Sequence, residues 1–212
     1  MSEIIKPPYD VIIFAGGKTG GSTLHNTFLH DWRKCRPIHL HRDKFFKDAQ
    51  LIGNHPFKQT DNPKSIFDLV KEKAYFIDVY RNATDRKISS YFQNLAHNRK
   101  EFKVPKNLTI EEEVDYFQMH IYHNIENYES MSEVMKHYGV RGVMEYKEDY
   151  WIKRRDKLTF IKLRFDKISK WGEILSDIFG RKIEIKNANL SCEKDYYPEY
   201  LAFKQVFYQK YR

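Results

Sequence analysis

The stretch VIIFAGGKTGGSTLHNTF, Val11 to Phe28, decides the fold of this 212-residue chain. It opens with a short apolar run of the kind that forms a buried strand, and the run ends at Gly16 and Gly17. Lys18 and the polar run Thr19–Thr23 follow before a helical pattern begins. A strand, a Gly/Lys/Ser/Thr loop and a helix in this order predict a phosphate site, because loop N–H groups and the helix dipole favour an anion.

The loop departs from the common nucleotide-binding pattern GxxxxGK[ST]. Residues 17–19 supply GKT, but the first glycine of that pattern would fall at Ile12. Two more glycines, Gly20 and Gly21, come after the lysine, so the anion is expected mostly C-terminal to Lys18. The spacing therefore disfavours an ATP or GTP hydrolase while it keeps the prediction of a phosphate-type site.

A second polar cluster, RNATDRKISSYF, follows the apolar run AYFIDVY of residues 74–80. Arg81 leaves the end of that predicted strand, and Arg86 and Ser89 lie three residues apart on the predicted helix, so they share a face. Guanidinium groups pair bidentately with phosphate oxygens, and a hydroxyl adds a further donor. The cluster predicts a dianionic phosphate at the same edge of the sheet as the first.

Apolar runs and helical periodicity alternate along the chain and predict an α/β fold. Strands are predicted over residues 11–15, 37–41, 74–80 and 158–165, helices over 22–33, 63–73, 85–97, 109–137, 170–179 and 197–211, and a loop over 98–107. In the first helix Leu24, Phe28 and Trp32 form the expected buried stripe. We expect one domain over residues 1–212, a three-layer sandwich with a central parallel sheet whose ligand lies beyond the carboxyl ends of the strands.

Composition limits the partners and the compartment. A formal net charge of +8 favours anionic partners. Cys35 and Cys192 make neither a disulfide framework nor a zinc pattern, which favours a reducing compartment. The first ten residues lack the apolar core of a signal peptide, and no apolar run approaches the ~20 residues of a membrane span. We expect a cytoplasmic protein without a membrane span, of a kind more typical of bacteria or viruses than of the Golgi.

Together the two clusters resemble motifs of the sulfotransferases that use 3′-phosphoadenosine 5′-phosphosulfate (PAPS). GKTGGSTL is similar to that family's loop K-[ST]-G-[ST]-[ST], with an additional glycine at Gly21. RNATDRKISSYF is similar to R-[ND]-P-x-[DE]-[RV]-x-x-S-x-[YF], with Ala83 where proline is usual. LTFIKLRFDKISKWGEIL resembles the family strand LRxEDL and its following helix, although Phe165 and Asp166 replace the usual acidic pair. The resemblance runs from residue 9 to about residue 180.

The resemblance implies a P-loop-like sulfotransferase fold and a role for each matching residue. Lys18 would stabilise the leaving phosphate, and Arg81 and Ser89 would hold the 3′-phosphate with help from Arg86. The cofactor-binding residues implied are Gly17, Lys18, Thr19, Gly20, Gly21, Ser22, Thr23, Arg81, Arg86 and Ser89. No metal is required, because lysine, N–H groups and arginines carry the charge.

Sulfuryl transfer to a hydroxyl also needs a base, and three histidines lie between the first predicted helix and the strand that precedes Arg81. His55, in LIGNHPF, is favoured because it resembles the histidine position of uronyl and heparan 2-O-sulfotransferases. His39 and His41 remain alternatives. Arg86, and the lack of the tryptophan that usually follows the first motif in aryl enzymes, place the likeness nearest the carbohydrate branch, both 2-O-type and bacterial capsule-type. The implied acceptor is a saccharide.

Two other function classes compete with this interpretation. A small nucleotide or sugar kinase with a degenerate loop would use ATP with Mg²⁺, but Asp78 lies inside a predicted strand, where it does not suit a metal. A nucleic-acid-binding protein would use the basic charge and the 15 tyrosines, since aromatic rings stack on bases. Nucleic-acid binding does not account for two ordered phosphate clusters at strand ends, so we do not expect nucleic acid as a partner.

Overall fold

The computed structural model describes residues 10–13, 19–30, 36–41, 50–51, 73–93, 95–124, 131–186 and 194–211, and of residues 36–41, 50–51, 133 and 137 it describes only the backbone. The chain divides into two compact units. The first comprises Met1–Arg81 and Glu129–Ala188, and the second comprises Asn82–Tyr128 and Asn189–Arg212. The expectation of one domain stays a prediction.

The strands and helices confirm the α/β class. The strands are β1 Asp10–Ile13, β2 Arg36–His41, β3 Gln50–Leu51, β4 Ala74–Tyr80, β5 Glu145–Lys147, β6 Tyr150–Arg155 and β7 Leu158–Arg164. The α-helices are α1 Gly21–Leu29, α2 Ala83–Gln93, α3 Leu95–Glu101, α4 Ile110–Tyr116, α5 Met131–His137, α6 Trp171–Phe179 and α7 Tyr197–Tyr211. A π turn at Phe117–Ile121 and 3₁₀ turns at Tyr122–Asn124 and Phe165–Lys170 complete the described elements.

The sheet belongs to the first unit and is parallel only at its centre. Its order is β3-β2-β1-β4-β7-β6-β5, with β2, β1, β4 and β7 parallel. The parallel sheet that the sequence predicts is therefore confirmed at the centre, whereas the flanking strands β3, β6 and β5, which were not predicted, pair antiparallel. The hairpin of β5 and β6 was not predicted, because β5 is exposed throughout and its sequence has no apolar alternation.

Alternating side chains of the central strands form two separate cores, one on each face of the sheet. The face that includes Ile13, Ile77 and Leu163 packs on α1 and α6. The opposite face, which includes Phe76 and Phe160, packs on α5. In α1 the predicted stripe is confirmed at Leu24 and Phe28, both buried, whereas Trp32 lies outside the described residues. Helices therefore cover both faces of the sheet, as an α/β layer arrangement requires.

The second unit is helical and is built on aromatic rings. Tyr91, Phe92, Phe117 and Phe203 are fully or almost fully buried in one cluster of α2, α4, α7 and the π turn. Tyr91 donates to the buried carboxylate of Glu113, and burial together with this bond raises the pKa of the tyrosine well above its ordinary value. The guanidinium of Arg99 donates to the same carboxylate at 2.9 and 2.7 Å, which ties α3 to α4.

The periodicity of apolar residues predicted that this unit is helical, but it did not predict where each helix begins and ends. The predicted helix over 85–97 is two helices, α2 and α3, and the predicted loop over 98–107 is wrong at its start, because α3 runs to Glu101. No residue of α3 is buried, so its sequence lacks the apolar stripe that marks a helix. The predicted helix over 109–137 starts at a capping box of Thr109 and Glu112, but it changes to a π turn at Phe117. The predicted helix over 63–73 lies outside the described residues except at Lys73.

The helix predicted over 22–33 is α1, which begins one residue earlier and already ends at Leu29. The helices predicted over 170–179 and 197–211 are confirmed. The structure gives α7 with the predicted limits, and α6 begins one residue later than expected and ends at Gly180, whose φ is 64°. Among the described residues, no helix has the length and apolar character needed to cross a membrane.

Candidate functional site

The candidate site lies in the first unit, beyond the carboxyl ends of β1 and β4. Strand β1 pairs in parallel with β2 on one side and with β4 on the other, so the direction in which the chain crosses the sheet reverses here. Open α/β sheets bind their ligands at such a switch point. The glycine cluster follows β1 and Arg81 follows β4 directly, so both predicted motifs start at this crevice.

The described part of the glycine cluster forms the start of α1. Gly17 and Lys18 lie outside the described residues. Thr19 and Gly21 are buried, as is Thr23, and Ser22 is half-buried. Within the described residues α1 has no side-chain cap, and its first turn contains no acidic residue. The positive end of the helix dipole is therefore not balanced by the helix's own side chains, which suits an anion.

Gly20 is required at the start of α1 for two reasons. Its φ is 86°, in the left-handed region that favours glycine. A Cβ atom at this position would lie 2.8 Å from Cη2 of Trp171, which is closer than packed side chains approach. Trp171 is fully buried, and its Nε1 donates to the carbonyl of Arg164 at 2.8 Å, so the indole is held in place. The backbone of the loop consequently lies directly on a fixed ring.

Arg81, which follows β4, lies against the ring of Phe165. Its Cζ atom is 4.4 Å from the centroid of the Phe165 ring, which is a cation–π contact. Cε2 of that ring lies 3.5 Å from where a Cβ of Gly20 would be. The structure thus places Gly20 and Arg81 near the same ring, although they belong to separate motifs.

Sequence reasoning missed the role of Phe165. It appeared only as a departure from the acidic pair that the resemblance leads one to expect. The signal that could have found it is its position, the first residue after β7, which is the neighbour of β4 in the sheet. An aromatic residue at that strand end lies next to whatever follows β4.

The second cluster forms the start of α2 in the second unit. Asn82 caps this helix, because its Oδ1 accepts hydrogen bonds from the N–H groups of Thr84 at 2.9 Å and Asp85 at 3.3 Å. Arg86 and Ser89 are both buried, with 7% and 9% of their surface exposed, and are three residues apart on the helix as predicted. A buried guanidinium and hydroxyl are not features of an ordinary solvated helix face.

Lys87 is a further buried cation that sequence reasoning did not select. It is 7% exposed, and its Nζ donates to the carbonyl of Tyr122 at 2.6 Å and lies 4.0 Å from the centroid of that ring. Burial lowers the pKa of Lys87, and the charge of the adjacent Arg86 lowers it further. Two adjacent residues of α2 thus carry buried positive charge, a feature that the sequence signals only by placing lysine directly after Arg86.

The structure describes the three candidate bases to different extents. His55 lies outside the described residues. His39 and His41 belong to β2, of which only the backbone is described. In the register of β1 and β2, His39 pairs with Ile13, the last described residue before the glycine cluster. Position along the sheet therefore places the backbone of His39 next to the start of the loop, while His41 pairs with Gln50 of β3.

The described part of the chain contains no group of three or more His, Cys, Asp or Glu side chains arranged to hold a metal ion. Asp78, which the kinase interpretation would need, is 5% exposed within β4. Its Oδ1 accepts a hydrogen bond from the N–H of Val79 at 2.7 Å. This carboxylate is therefore buried and bonded to the backbone of its own strand.

Comparison with protein-family models, with curated proteins and with solved structures gives no match to this chain. The likeness to PAPS-dependent sulfotransferases consequently stays a prediction carried by two short motifs. The fold class and the convergence of Gly20 and Arg81 on Phe165 stand independently of that likeness.

Proposed function

We propose that this protein is a sulfotransferase that moves the sulfuryl group of PAPS to a hydroxyl of an acceptor, which we take to be a saccharide. The observation that supports the proposal best is that Gly20 lies close to the Phe165 ring on which Arg81 stacks, beyond the ends of adjacent parallel strands. Adjacent strands lie about 4.8 Å apart. Two anion sites on neighbouring strand ends suit a ligand with two separate phosphate positions, as PAPS has, better than a single triphosphate chain.

The residues of the glycine cluster fit the phosphosulfate end of such a ligand. Gly20 permits a close approach of backbone because it has no side chain, and the start of α1 carries no acidic residue that would repel an anion. We propose that the N–H groups and hydroxyls of residues 19–23 hold the 5′-phosphosulfate. In the same proposal Lys18 neutralises the charge that develops on the leaving phosphate oxygen.

The arginine cluster fits the 3′-phosphate. Stacking on Phe165 restricts the plane of the Arg81 guanidinium, and a restricted guanidinium loses less entropy when its N–H groups bind phosphate. By the motif, Ser89 and Arg86 bind the same group. Their burial supports the proposal, because both side chains are already desolvated, and hydrogen bonds to charged groups are stronger there.

The chemistry assigned to the chain is proton removal and charge stabilisation. PAPS supplies an activated sulfuryl group. A histidine, His55 in our assignment with His39 and His41 as alternatives, takes the proton of the acceptor hydroxyl as its oxygen bonds to sulfur. The bond between sulfur and the phosphate oxygen breaks in line with this attack. Its electron pair stays on adenosine 3′,5′-bisphosphate, where Lys18 stabilises it.

Calorimetry in the presence of EDTA tests the cofactor assignment. Adenosine 3′,5′-bisphosphate should bind without metal, and Arg81→Ala should weaken this binding by roughly tenfold or more, the value of a charge-assisted hydrogen bond. Binding of adenosine 5′-monophosphate, which has no 3′-phosphate, should be unchanged in the same variant. Arg154→Ala removes an exposed arginine of β6 and serves as the matched control.

Three results would contradict the assignment. Binding of ATP with Mg²⁺ in place of the bisphosphate would favour a kinase, and binding of single-stranded nucleic acid alone would favour a nucleic-acid-binding protein. An equal loss of affinity for both nucleotides in Arg81→Ala would mean that Arg81 supports the crevice without binding the 3′-phosphate.

For the chemical step, His55→Ala should abolish sulfuryl transfer and keep bisphosphate affinity. Full activity would move the assignment to His39 or His41.

A further inference from the structure

A groove of about 870 Å³ lies in the first unit, between α5, the loop of residues 139–144 and the strands β6 and β7. It is on the α5 face of the sheet, whereas Gly20, Trp171 and Phe165 belong to the α1 and α6 face. The groove is therefore distinct from the candidate phosphate site. Its volume is in the range of pockets that hold small organic molecules.

The apolar part of the groove suits the apolar portion of an organic ligand rather than an inorganic ion. Half of its lining residues are apolar, namely Met131, Met135, Val140, Val143, Met144 and Trp151. Methionine side chains are flexible and polarizable, so they adapt to ligands of irregular shape. The Trp151 ring is supported by Tyr146 and Tyr80, with ring centroids 5.1 and 5.7 Å away. A flat or branched apolar group that binds here would bury its surface away from water, which is favourable.

The charged part of the groove has one sign. Lys136, Arg141 and Lys162 line it, and none of the lining side chains that the structure describes is acidic. Asp78 of β4 lies in register beside Lys162, so the positive charge that the groove offers is assigned to Lys136 and Arg141, and Glu145 is engaged by Lys147. The groove consequently presents an excess of positive charge to a ligand.

The loop that closes the groove is fixed at both ends to β6. Nζ of Lys153 donates to the carbonyl of Val143 at 3.4 Å, and a guanidinium nitrogen of Arg155 donates to the carbonyl of Gly139 at 3.0 Å. These two cations add to the positive field and hold the loop in the observed position. A groove with a fixed wall loses little entropy on binding.

We propose that this groove binds a small organic anion with an apolar body, an aryl or alkyl carboxylate, sulfate or phosphate. The apolar body lies on Trp151 and the methionines, and the acidic group faces Arg141 and Lys136. The proposal does not rest on sulfuryl transfer, and it involves no covalent step.

The test compares two probes of the same shape by calorimetry on the full chain. Naphthalene-2-sulfonate should bind more tightly than the neutral naphthalene-2-methanol, and salt should weaken only the sulfonate. Arg141→Glu reverses one exposed charge at the rim and should weaken the sulfonate roughly three- to tenfold while leaving the alcohol unchanged. Arg154→Glu makes the same change of charge on the opposite face of β6 and should leave both probes unchanged. Trp151→Ala should weaken both probes.

Four outcomes would overturn the proposal. They are the absence of sulfonate binding, equal affinities for the two probes, equal effects of Arg141→Glu and Arg154→Glu, and competition between the sulfonate and adenosine 3′,5′-bisphosphate. The last would place the probe in the nucleotide site instead of the groove. Because no nucleotide is needed for the other measurements, they remain decisive if the sulfotransferase proposal fails.

Discussion

The junction between β1 and α1 and the junction between β4 and α2 both predict phosphate binding, yet they are built in opposite ways. Helix α1 begins at Gly20, has no side-chain cap within the described residues and carries no acid in its first turn. Helix α2 follows Asn82, whose side chain accepts from two of its N–H groups, and has Asp85 in its first turn. The first junction thus has no capping or acidic side chain of its own, whereas the motif at the second carries the cationic residues Arg81 and Arg86.

The difference predicts which substitutions each junction tolerates. A backbone site depends on where the chain lies, so only substitutions that move it or add charge should matter. A side-chain site depends on the charges themselves. At the second junction even the acidic residue is already engaged, because Asp85 is held by Lys204 at 2.7 Å and by the hydroxyl of Tyr208 at 3.1 Å.

The largest effect is expected from Gly20→Ala. The new Cβ would lie 2.8 Å from the fixed Trp171 ring, and alanine at a φ of 86° is strained, so the free energy of unfolding should fall by about 3 kcal/mol. Gly139→Ala is the control, since its φ is 66° and nothing lies within 4 Å of its Cβ. It should cost about 1 kcal/mol. Urea unfolding measures both, and equal losses would show that Trp171 does not restrict the loop.

The next effect concerns binding at the first junction. Ser22→Asp places a negative charge in the first turn of α1, where it favours the helix but repels a bound phosphate. Bisphosphate affinity should fall about a hundredfold, since a unit charge near 4 Å is worth several kcal/mol at a protein surface.

Ser22→Asn is the control for Ser22→Asp, because asparagine has nearly the shape of aspartate without its charge. It should weaken bisphosphate binding far less than Ser22→Asp does, because it removes the hydroxyl but adds no charge. If the two variants bind the bisphosphate equally well, the anion does not lie at α1, and the backbone interpretation of this junction is wrong.

The sequence predicted the two junctions but not what joins them. The prediction matched β4 and α7 at both ends. Strand β4 is buried along almost its whole length and therefore reads as one apolar run, and the buried residues of α7, Tyr200, Phe203 and Phe207, recur with the period of a helix. Exposed elements such as α3 and β5 have no such period and were missed. The placement of Phe165 between Gly20 and Arg81 depends on which strands are neighbours, and the desolvation of Lys87 depends on Tyr122. Contacts between residues so far apart in the chain cannot be inferred from local sequence patterns.

A smaller effect is expected from Asn82→Ala at the second junction. The side chain of Asn82 satisfies two N–H groups of α2, so its loss should lower the free energy of unfolding by about 1 kcal/mol. Thr109→Ala removes the cap of α4 in the same unit and should cost a similar amount. Urea unfolding of both variants makes the comparison. A negligible cost for Asn82→Ala alone would mean that α2, like α1, begins without need of a cap.

The smallest effect is a pH dependence at Lys87. Burial and the charge of Arg86 lower its pKa in the folded chain below the ordinary 10.5, so between these two values the unfolded chain binds more protons. Stability therefore rises with pH through that window, and the cost of burying the charge is fully present below it. Relative to Lys87→Met, the wild-type chain should gain stability as the pH is raised toward 10.5. Urea unfolding of both proteins at neutral and alkaline pH measures this difference, in which the titration of tyrosines common to both cancels. A difference that falls with pH would mean that an anionic group of the chain pairs with Lys87, and that the second junction is already neutralised without a phosphate.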